Sequence, residues 1–290
     1  MDYFLDLVIS GLMVGALYGI IAMGFAMIYK ATGVVNFAQG EVLMLVAYIA
    51  YTLTTLIDMP FWLLIPATIM IGMIVGLIVE FLFIRPMIGE PVFATVMVTI
   101  GLAVFIRSLV VLLWDAFPHE FVTSLSEQVI EISGIRLYPS QIVAFITYLV
   151  LMAAFWSFFR YSRIGIAMRA VANKETVALL MGIRIKHVYA VAWALSSIIA
   201  GIAGVLFASI YDLDPTISAM GLNAFPAAIL GGLDSVLGSG FGGLIIGVVE
   251  NLTGGYLSTG LKSVSGFVVI ILVLMVRPYG LFGEPEIERV

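Results

Sequence analysis

Long apolar runs separated by short polar stretches extend over nearly the whole chain. A helix needs roughly 20 apolar residues to cross the hydrocarbon core of a bilayer, and each run is close to that length. The pattern therefore predicts a series of membrane-spanning helices. The first six are predicted at residues 5–29, at 40–57, in a run ending at 83, and at 91–114, 141–159 and 188–210.

The last third of the chain is harder to divide, because residues 221–247 are dense in glycine. Pro226 and the pair Gly231-Gly232 would interrupt a continuous helix there. We predict three further crossings, at residues 216–233, 236–252 and 264–276, which gives nine in all. The alternative is that the first of these is a re-entrant half-helix, which would place Arg277 outside.

Charges are distributed unequally between the polar stretches, and this predicts the orientation. Residues 160–186 carry six of the 13 basic residues and a single acid. Lys and Arg between spans are enriched on the cytoplasmic side, so we expect a cytoplasmic loop at 160–187. The stretch 115–140 has one base, Arg136, and is predicted to be an external loop; its acids are Asp115, Glu120, Glu127 and Glu131. The N-terminus is then outside and the C-terminus inside.

Composition supports a membrane protein and excludes several kinds of chemistry. The chain is 62% hydrophobic and 11% charged, with a mean hydropathy of +1.18, whereas soluble domains are about 25% charged. We expect an all-α polytopic membrane protein forming a single transmembrane domain over residues 1–290, with eight to nine helices and broken or re-entrant segments. The chain has no cysteine, which excludes disulfides and thiolate sites. The N-terminus lacks a basic region and is interpreted as the start of the first span.

Motifs of soluble enzymes do not fit their surroundings here. Gly238, Gly240 and Gly243 match G-x-G-x-x-G, but they lie in an apolar run without a βαβ unit, which favours helix packing. A near match to a phosphate-binding loop at residues 255–263 has one residue too many. We therefore expect no ATP site and no metal site in this chain.

The stretch at residues 33–41 joins the first two predicted spans and is the most polar candidate site. It contains Asn36, Gln39 and Glu41, and glycines at positions 33 and 40. One interpretation is an unwound segment within the membrane that lines a solute path, since irregular backbone at that depth must line a cavity or be buried. The other interpretation is an ordinary cytoplasmic turn.

Three isolated charges fall inside predicted spans: Glu80, Arg107 and Glu250. Each must face protein or water, because exposure to lipid is costly. Glu80 lies near Arg85 at the inner boundary, which favours an interfacial pair. Arg107 and Glu250 both fall in the outer third of their spans, so either they pair or Arg107 extends towards the interface.

Four stretches resemble the LivH-type permease subunits of branched-chain amino acid ABC importers. They are GLMVGALYGIIAMGFAMIYKATGVVNFAQGE (11–41), YSRIGIAMRAVANKETVALLMGI (161–183), AFPAAILGGLDSVLGSGFGGLIIGVVE (224–250) and RPYGLFG (277–283). Their order and spacing also match that family.

The resemblance implies a permease of the bacterial inner membrane that works with partners. These are a homologous LivM-type permease, two ATPase subunits that bind ATP and Mg²⁺, and a periplasmic amino-acid-binding protein. Nucleic acid has no role, and the chain itself needs no cofactor. The resemblance also implies a substrate path at Gly33, Asn36, Gln39 and Gly40. It implies an ATPase-coupling surface at Arg163, Gly165, Arg169, Asn173, Glu175, Ala178 and Gly182.

Two alternatives to this function remain open at the level of sequence. A related ABC permease could carry urea, short amides or simple sugars. A self-sufficient secondary transporter or channel should show buried ion-coupling carboxylates or a conducting filter, and only scattered charges are present. The polar stretch at 160–187 favours an ATPase-coupled permease.

Overall fold

The computed structural model describes residues 2–57, 59–121, 130–132, 135–173 and 175–283. Within these ranges the chain is almost entirely helical. The helices are α1 (Asp2–Thr32), α2 (Gln39–Ile57), α3 (Phe61–Val79), α4 (Val92–Trp114), α5 (Pro139–Tyr161), α6 (Arg163–Asn173), α7 (Glu175–Leu180), α8 (Ile185–Ala208), α9 (Ala219–Gly231), α10 (Val236–Tyr256) and α11 (Lys262–Val276). A π-helical turn, Glu80–Ile84, and a 3₁₀ turn, Arg85–Met87, extend α3.

A two-stranded antiparallel hairpin lies within the predicted external loop. Strand β1 (Ile130–Ile132) pairs with β2 (Ile135–Leu137), with Ile130 opposite Leu137. Glu127, one of the acids of this loop, lies outside the described residues.

The prediction of eight to nine spanning helices with broken segments is confirmed at its lower number, and the ninth spanning helix counted at 216–233 is not found in the described part of the chain. Among the described residues, eight helices are long and apolar enough to cross a membrane. The predicted span at 216–233 is replaced by a 3₁₀ turn, Pro215–Ser218, and by α9, which has 13 residues. At 1.5 Å per residue α9 is about 20 Å long, well short of the hydrocarbon core. The apolar run continues through 216–233, but its first part is not α-helical.

The chain nevertheless passes from one end of the bundle to the other between α8 and α10. The backbone of Leu213 pairs with the backbone of His119, just beyond the C-terminal end of α4. The carbonyl of Gly231, at the other end of α9, accepts a hydrogen bond from the N–H of Phe282, beyond α11. The crossing is therefore made in two parts: first by residues 209–218, which are not α-helical, and then by the half-helix α9.

Contacts between chain segments identify the two ends of the bundle. At one end, Tyr3 donates a hydrogen bond to the carbonyl of Gly255. At the other end, Lys30 donates to the carbonyl of Asp234 at 2.6 Å and lies over the ring of Phe159. The basic stretch 160–187 begins beside Phe159, so we call this the inner end. The C-terminal segment after α11 also lies there, opposite the N-terminus.

The centre of the bundle is built on close contact between α1 and α10. A Cβ atom at Gly15 would meet the carbonyl of Gly243, and one at Gly247 would meet the backbone of Gly15. Small residues let two helix backbones approach closely where lipid provides no hydrophobic drive for association. The buried core extends from this contact to α8, whose Trp193 is fully buried.

Candidate functional site

The candidate site begins where α1 stops at the inner end. Gly33 has φ +66°, a conformation that glycine adopts without a steric penalty. The Thr32 hydroxyl accepts a hydrogen bond from the N–H of Val34, and the Asn36 side chain accepts one from the N–H of Ala38. These side-chain bonds satisfy backbone groups that the interrupted helix leaves free. The chain turns back into the bundle before α2 begins at Gln39.

Asn36 and Gln39 are brought together in a buried polar network. Each is 1% exposed. Asn36 Nδ2 donates to Gln39 Oε1 at 3.2 Å, and Gln39 Nε2 reaches the carbonyl of Ser196 at 3.5 Å. The Ser196 hydroxyl lies 3.0 Å from Gln39 Oε1 and 2.9 Å from the carbonyl of Gly24. Gly33 is exposed, but the segment from Asn36 to Gly40 is not a solvated turn.

The depth of this network follows from its partners on α1. Gly24 precedes the end of α1 by eight residues, which is about 12 Å along the helix. Helix α2 therefore starts inside the bundle. Thr52, further along α2, contacts Trp114 at the outer end of α4. The helix rises about 17 Å from Glu41 to Thr52. The polar start of α2 thus lies far from both ends of the bundle.

The starts of α2 and α9 meet at this depth. A Cβ atom at Gly40 would meet the carbonyl of Ser218, and one at Gly221 would meet the backbone of Gly40. Glycine is required on both sides because only bare backbone fits. We call Gly40, Glu41, Arg107, Ser218 and Gly221 the mid-membrane junction.

Arg107 of α4 completes this junction. Its Nη2 donates to Glu41 Oε1 at 3.1 Å and to the Ser218 hydroxyl at 2.6 Å. The Glu41 side chain is 11% exposed and the Arg107 side chain 52%. The suggested pairing of Arg107 with Glu250 is therefore wrong. Helix α4 packs against α2 and the 3₁₀ turn before α9, whereas α10, which carries Glu250, packs mainly against α1.

The other two intramembrane carboxylates have different partners. Glu250 is buried and accepts a hydrogen bond from the Tyr18 hydroxyl at 3.0 Å. Glu80 is held by Arg85, with Nε at 3.1 Å and Nη2 at 2.8 Å. The interfacial pair predicted from the sequence is confirmed by these contacts.

Two cavities lie on opposite sides of the break between α1 and α2. The outer cavity, about 210 Å³, is lined by Gly40, Glu41, Ser218 and Gly221 of the junction and by the aromatic rings of Phe25, Phe37 and Phe225. Arg107 does not line it but bonds to Glu41 and Ser218, which do. The inner cavity, about 200 Å³, is lined by residues of the break and of α4 and α8, among them Thr32, Val34, Thr95, Tyr189 and Trp193. The N–H of Phe37, between them, donates to the Thr99 hydroxyl of α4 at 3.3 Å. The buried Asn36–Gln39 network therefore adjoins a segment that separates two spaces along α4.

The basic stretch at the inner end forms the short helices α6 and α7. Arg163 and Arg169 are exposed, whereas Gly165 and Ala178 are buried against the protein. Gly182 has φ +82°, and its N–H bonds to the carbonyl of Leu179, which ends α7.

Apolar side chains on this inner surface are open to solvent. Val177 is 51% exposed, Leu180 84% and Met181 79%. Lys174 and the side chains of Asn173 and Glu175 lie outside the described residues. Exposed apolar groups beside Arg163 and Arg169 are typical of a surface that binds another protein.

Sequence reasoning missed Ser218 of the junction, Thr99 and Ser196 beside the break, and the three phenylalanines of the outer cavity. A charge inside an apolar run requires a partner, and this signal identified Arg107. It did not identify Glu41 as that partner, because the two residues are 66 positions apart. Within the described residues, no group of three or more His, Asp or Glu side chains could hold a metal ion.

Comparison with known proteins assigns the whole bundle to one group of sequences. Residues 7–276 match the family model described as the permease component of the branched-chain amino acid transport system. The LivH permease protein of the high-affinity branched-chain amino acid transport system of Escherichia coli strain K12 is 35% identical over 306 residues, covering 99% of this chain and 98% of that protein.

More distant relatives span other organisms and one other solute. The Pseudomonas aeruginosa permease protein BraD of the same kind of system is 32% identical, covering 99% of this chain and 98% of its own length. The ribose import permease protein RbsC of Haemophilus influenzae is 24% identical, covering 86% of this chain and 78% of its own length. No solved structure matches the chain at a significant level.

Proposed function

Since the chain belongs to the family of permease components of branched-chain amino acid transport systems, we propose that it forms the solute path of an ATP-driven importer for leucine, isoleucine and valine. It is a multi-pass membrane protein and a transport subunit, not an enzyme. Its partners are a LivM-type second permease, two ATPase subunits that supply ATP hydrolysis, and an amino-acid-binding protein. The complex resides in the bacterial inner membrane, with the binding protein on the periplasmic side.

The break between α1 and α2 is the proposed constriction of the path. One observation carries this proposal: the break has a cavity on each side and a buried polar network beside it. Non-helical backbone at membrane depth is tolerated where it is buried or lines a cavity, and here it does both. Gly40 lines the outer cavity, Asn36 and Gln39 hold the segment closed, and Gly33 is the point from which the segment moves.

The helices α6 and α7 are the proposed ATPase-docking surface. Arg163 and Arg169 supply charge, and Leu180 and Met181 supply exposed apolar contact. Gly165 and Ala178 pack against the bundle, so a force on this surface is transmitted to α5 and α8. Asn173, Glu175 and Gly182 belong to the same surface by their place in the sequence.

The match to a ribose permease makes a sugar the second candidate solute. The outer cavity favours an amino acid over a sugar, because its lining places the carboxylate of Glu41, which is paired with Arg107, beside apolar rings. A sugar offers no opposite charge to either group, so it could not replace the ion pair that joins them.

The test is leucine uptake by the purified complex in liposomes with its binding protein and ATP. We expect Gln39→Leu to lower the rate of uptake by at least about tenfold, because leucine cannot accept the hydrogen bond from Asn36 Nδ2 and leaves this buried donor without that partner. ATP hydrolysis stimulated by the binding protein is measured in the same vesicles, which separates path defects from assembly defects.

Gln141→Leu is the matched control, since Gln141 lies at the outer start of α5 and its side chain contacts only the backbone N–H of Tyr138 in the described structure. Uptake should be close to normal in that variant. Unchanged leucine uptake in an assembled Gln39→Leu complex would show that the path lies elsewhere. Uptake of ribose but not leucine by the unmodified complex would overturn the solute assignment.

A further inference from the structure

Arg107 carries its charge within a membrane-spanning helix, where contact with lipid is costly. It lies within the spanning helix α4, yet just over half of its side chain is open in the single chain. Its guanidinium does not extend to the outer end of α4 but is held inward by Glu41 and Ser218. A charge at this depth faces protein or a water-filled space. The open side of Arg107 is therefore turned to an aqueous path or to a second permease subunit.

The Glu41–Arg107 pair also has unused hydrogen-bonding capacity. Both bonds that the structure gives to Arg107 come from Nη2, whereas a guanidinium carries five N–H donors. Glu41 likewise has a second carboxylate oxygen, Oε2. Glu41 lines the outer cavity, and Arg107 lies at its border, with donors other than Nη2 to offer a small molecule that separates it from Glu41.

We propose that the outer cavity is a transit site for the zwitterion of an aliphatic α-amino acid. Glu41 receives the ammonium group, Arg107 the carboxylate, and the rings of Phe25, Phe37 and Phe225 receive the aliphatic side chain. This assignment rests on the proposed function and deepens it, because it names the groups that recognise the solute within the path.

The arrangement suits a transported solute because charge remains balanced in both states. Without solute, Glu41 and Arg107 neutralise each other across 3.1 Å. With a zwitterion between them, each finds an opposite charge on the solute, so no buried charge is left unmatched. The solute must displace the existing pair, which keeps its affinity low, and transport requires a site that the solute can leave.

The space and its walls also fit this class of solute. The cavity is about 210 Å³, whereas an apolar cavity of roughly 150 Å³ in another protein holds a benzene molecule. Phe25 and Phe37 each lie against Phe225, with ring centroids 5.5 and 6.1 Å apart, so the apolar wall is continuous. Burial of a branched aliphatic chain against it is favourable.

The test uses the absence of cysteine from this chain. Val104→Cys places a thiol in the wall of the outer cavity, where Val104 is 63% exposed. The rate of its modification by a small thiol reagent is read by peptide mass in the purified complex, without binding protein. We expect millimolar leucine to slow modification at least threefold. We expect no protection by 4-methylpentanoate, which lacks the ammonium group, or by 3-methylbutylamine, which lacks the carboxylate.

Second substitutions in the Val104→Cys chain separate a binding role from a structural one. Glu41→Gln and Arg107→Met should each abolish protection by leucine. Glu80→Gln, which alters a Glu–Arg pair outside the cavity, should retain it. Val150→Cys on α5, away from the cavity, should react at the same rate with and without leucine.

Protection that survives both Glu41→Gln and Arg107→Met would overturn the transit site. So would the absence of protection in a Val104→Cys complex that still takes up leucine. Failure of the unmodified complex to transport any branched-chain amino acid would instead overturn the proposed function, so the two failures are distinguishable.

Discussion

The chain contains two Glu–Arg pairs of the same chemistry in different surroundings. Glu80 and Arg85 are five residues apart on one continuous helical segment, and the guanidinium binds the carboxylate through two nitrogens. Glu41 and Arg107 are on different helices and share one direct hydrogen bond. Glu80 is fully buried and Arg85 also lies over the ring of Phe81, whereas the second pair borders a cavity.

The difference separates an anchoring role from a recognition role. The Glu80–Arg85 pair uses the planar fork of arginine fully, and such two-point pairs are the strong and geometrically fixed ones. The Glu41–Arg107 pair uses one guanidinium nitrogen, Nη2, in the bonds given for Arg107, and Glu41 lines a space large enough for a solute. The first pair holds the inner end of α3 in place, and the second is available for exchange.

The largest expected effect comes from breaking the geometry that creates the second pair. Gly40→Val would place side-chain atoms against the carbonyl of Ser218. Overpacking typically costs about 1–3 kcal/mol and occasionally more, and here the added atoms meet backbone, so we expect little assembled complex, measured by size-exclusion chromatography. Gly101→Val on α4 is the control, because a Cβ there meets nothing within 4 Å. A well-assembled Gly40→Val complex would contradict the close contact of α2 with α9.

An intermediate effect is expected from Arg85→Met. It leaves the fully buried carboxylate of Glu80 without its partner, and uncompensated buried charge is strongly destabilising. We expect the thermal unfolding midpoint of the complex to fall by several degrees, while leucine uptake per assembled complex stays near normal.

Arg107→Met should give the reverse result. Its partner Glu41 lies beside a cavity that water can enter, so the unfolding midpoint should fall less, while uptake should be largely lost. If Arg85→Met and Arg107→Met changed the unfolding midpoint and leucine uptake alike, the proposed difference between the two pairs would be contradicted.

The smallest effect is expected from Ser218→Ala. It removes one of the two hydrogen bonds given for Arg107 and leaves the ion pair to Glu41 intact. A single hydrogen bond to a charged group contributes on the order of 1.5 kcal/mol at the lower end of its range, so uptake should fall about tenfold. Ser108→Ala is the matched control, since the hydroxyl of Ser108 bonds only to the carbonyl of Val104 in the described structure. A greater loss of uptake in Ser218→Ala than in Arg107→Met would show that Ser218 matters more for transport than the ion pair.

The same contrast explains what the sequence could predict. The Glu80–Arg85 pair was predictable because the two opposite charges are only five residues apart in one segment. The break at 33–41 was predictable because polar residues and glycines interrupt an apolar pattern there. The end of α7 at Gly182 was predictable from glycine chemistry.

The rest depends on which helices are neighbours, and periodicity does not contain that information. Arg107 could be identified as requiring a partner, but the choice of Glu41 over Glu250 follows from the packing of α4 against α2. The length of α9 was mispredicted for a related reason. Its apolar run looks long enough to span, but its first part is a 3₁₀ turn that Asp214 caps and that Ser218 ties to Arg107.

The glycine contact between α1 and α10 constrains how the protein can move during transport. Backbone lies against backbone where Gly15 meets Gly243 and where Gly247 meets Gly15. Sliding one helix along the other would drive bulky side chains into positions that hold only hydrogen atoms, and packed interiors resist such changes. Helices α1 and α10 therefore move together as one rigid unit. The displacement that opens the path must take place at other helix contacts, those made by side chains.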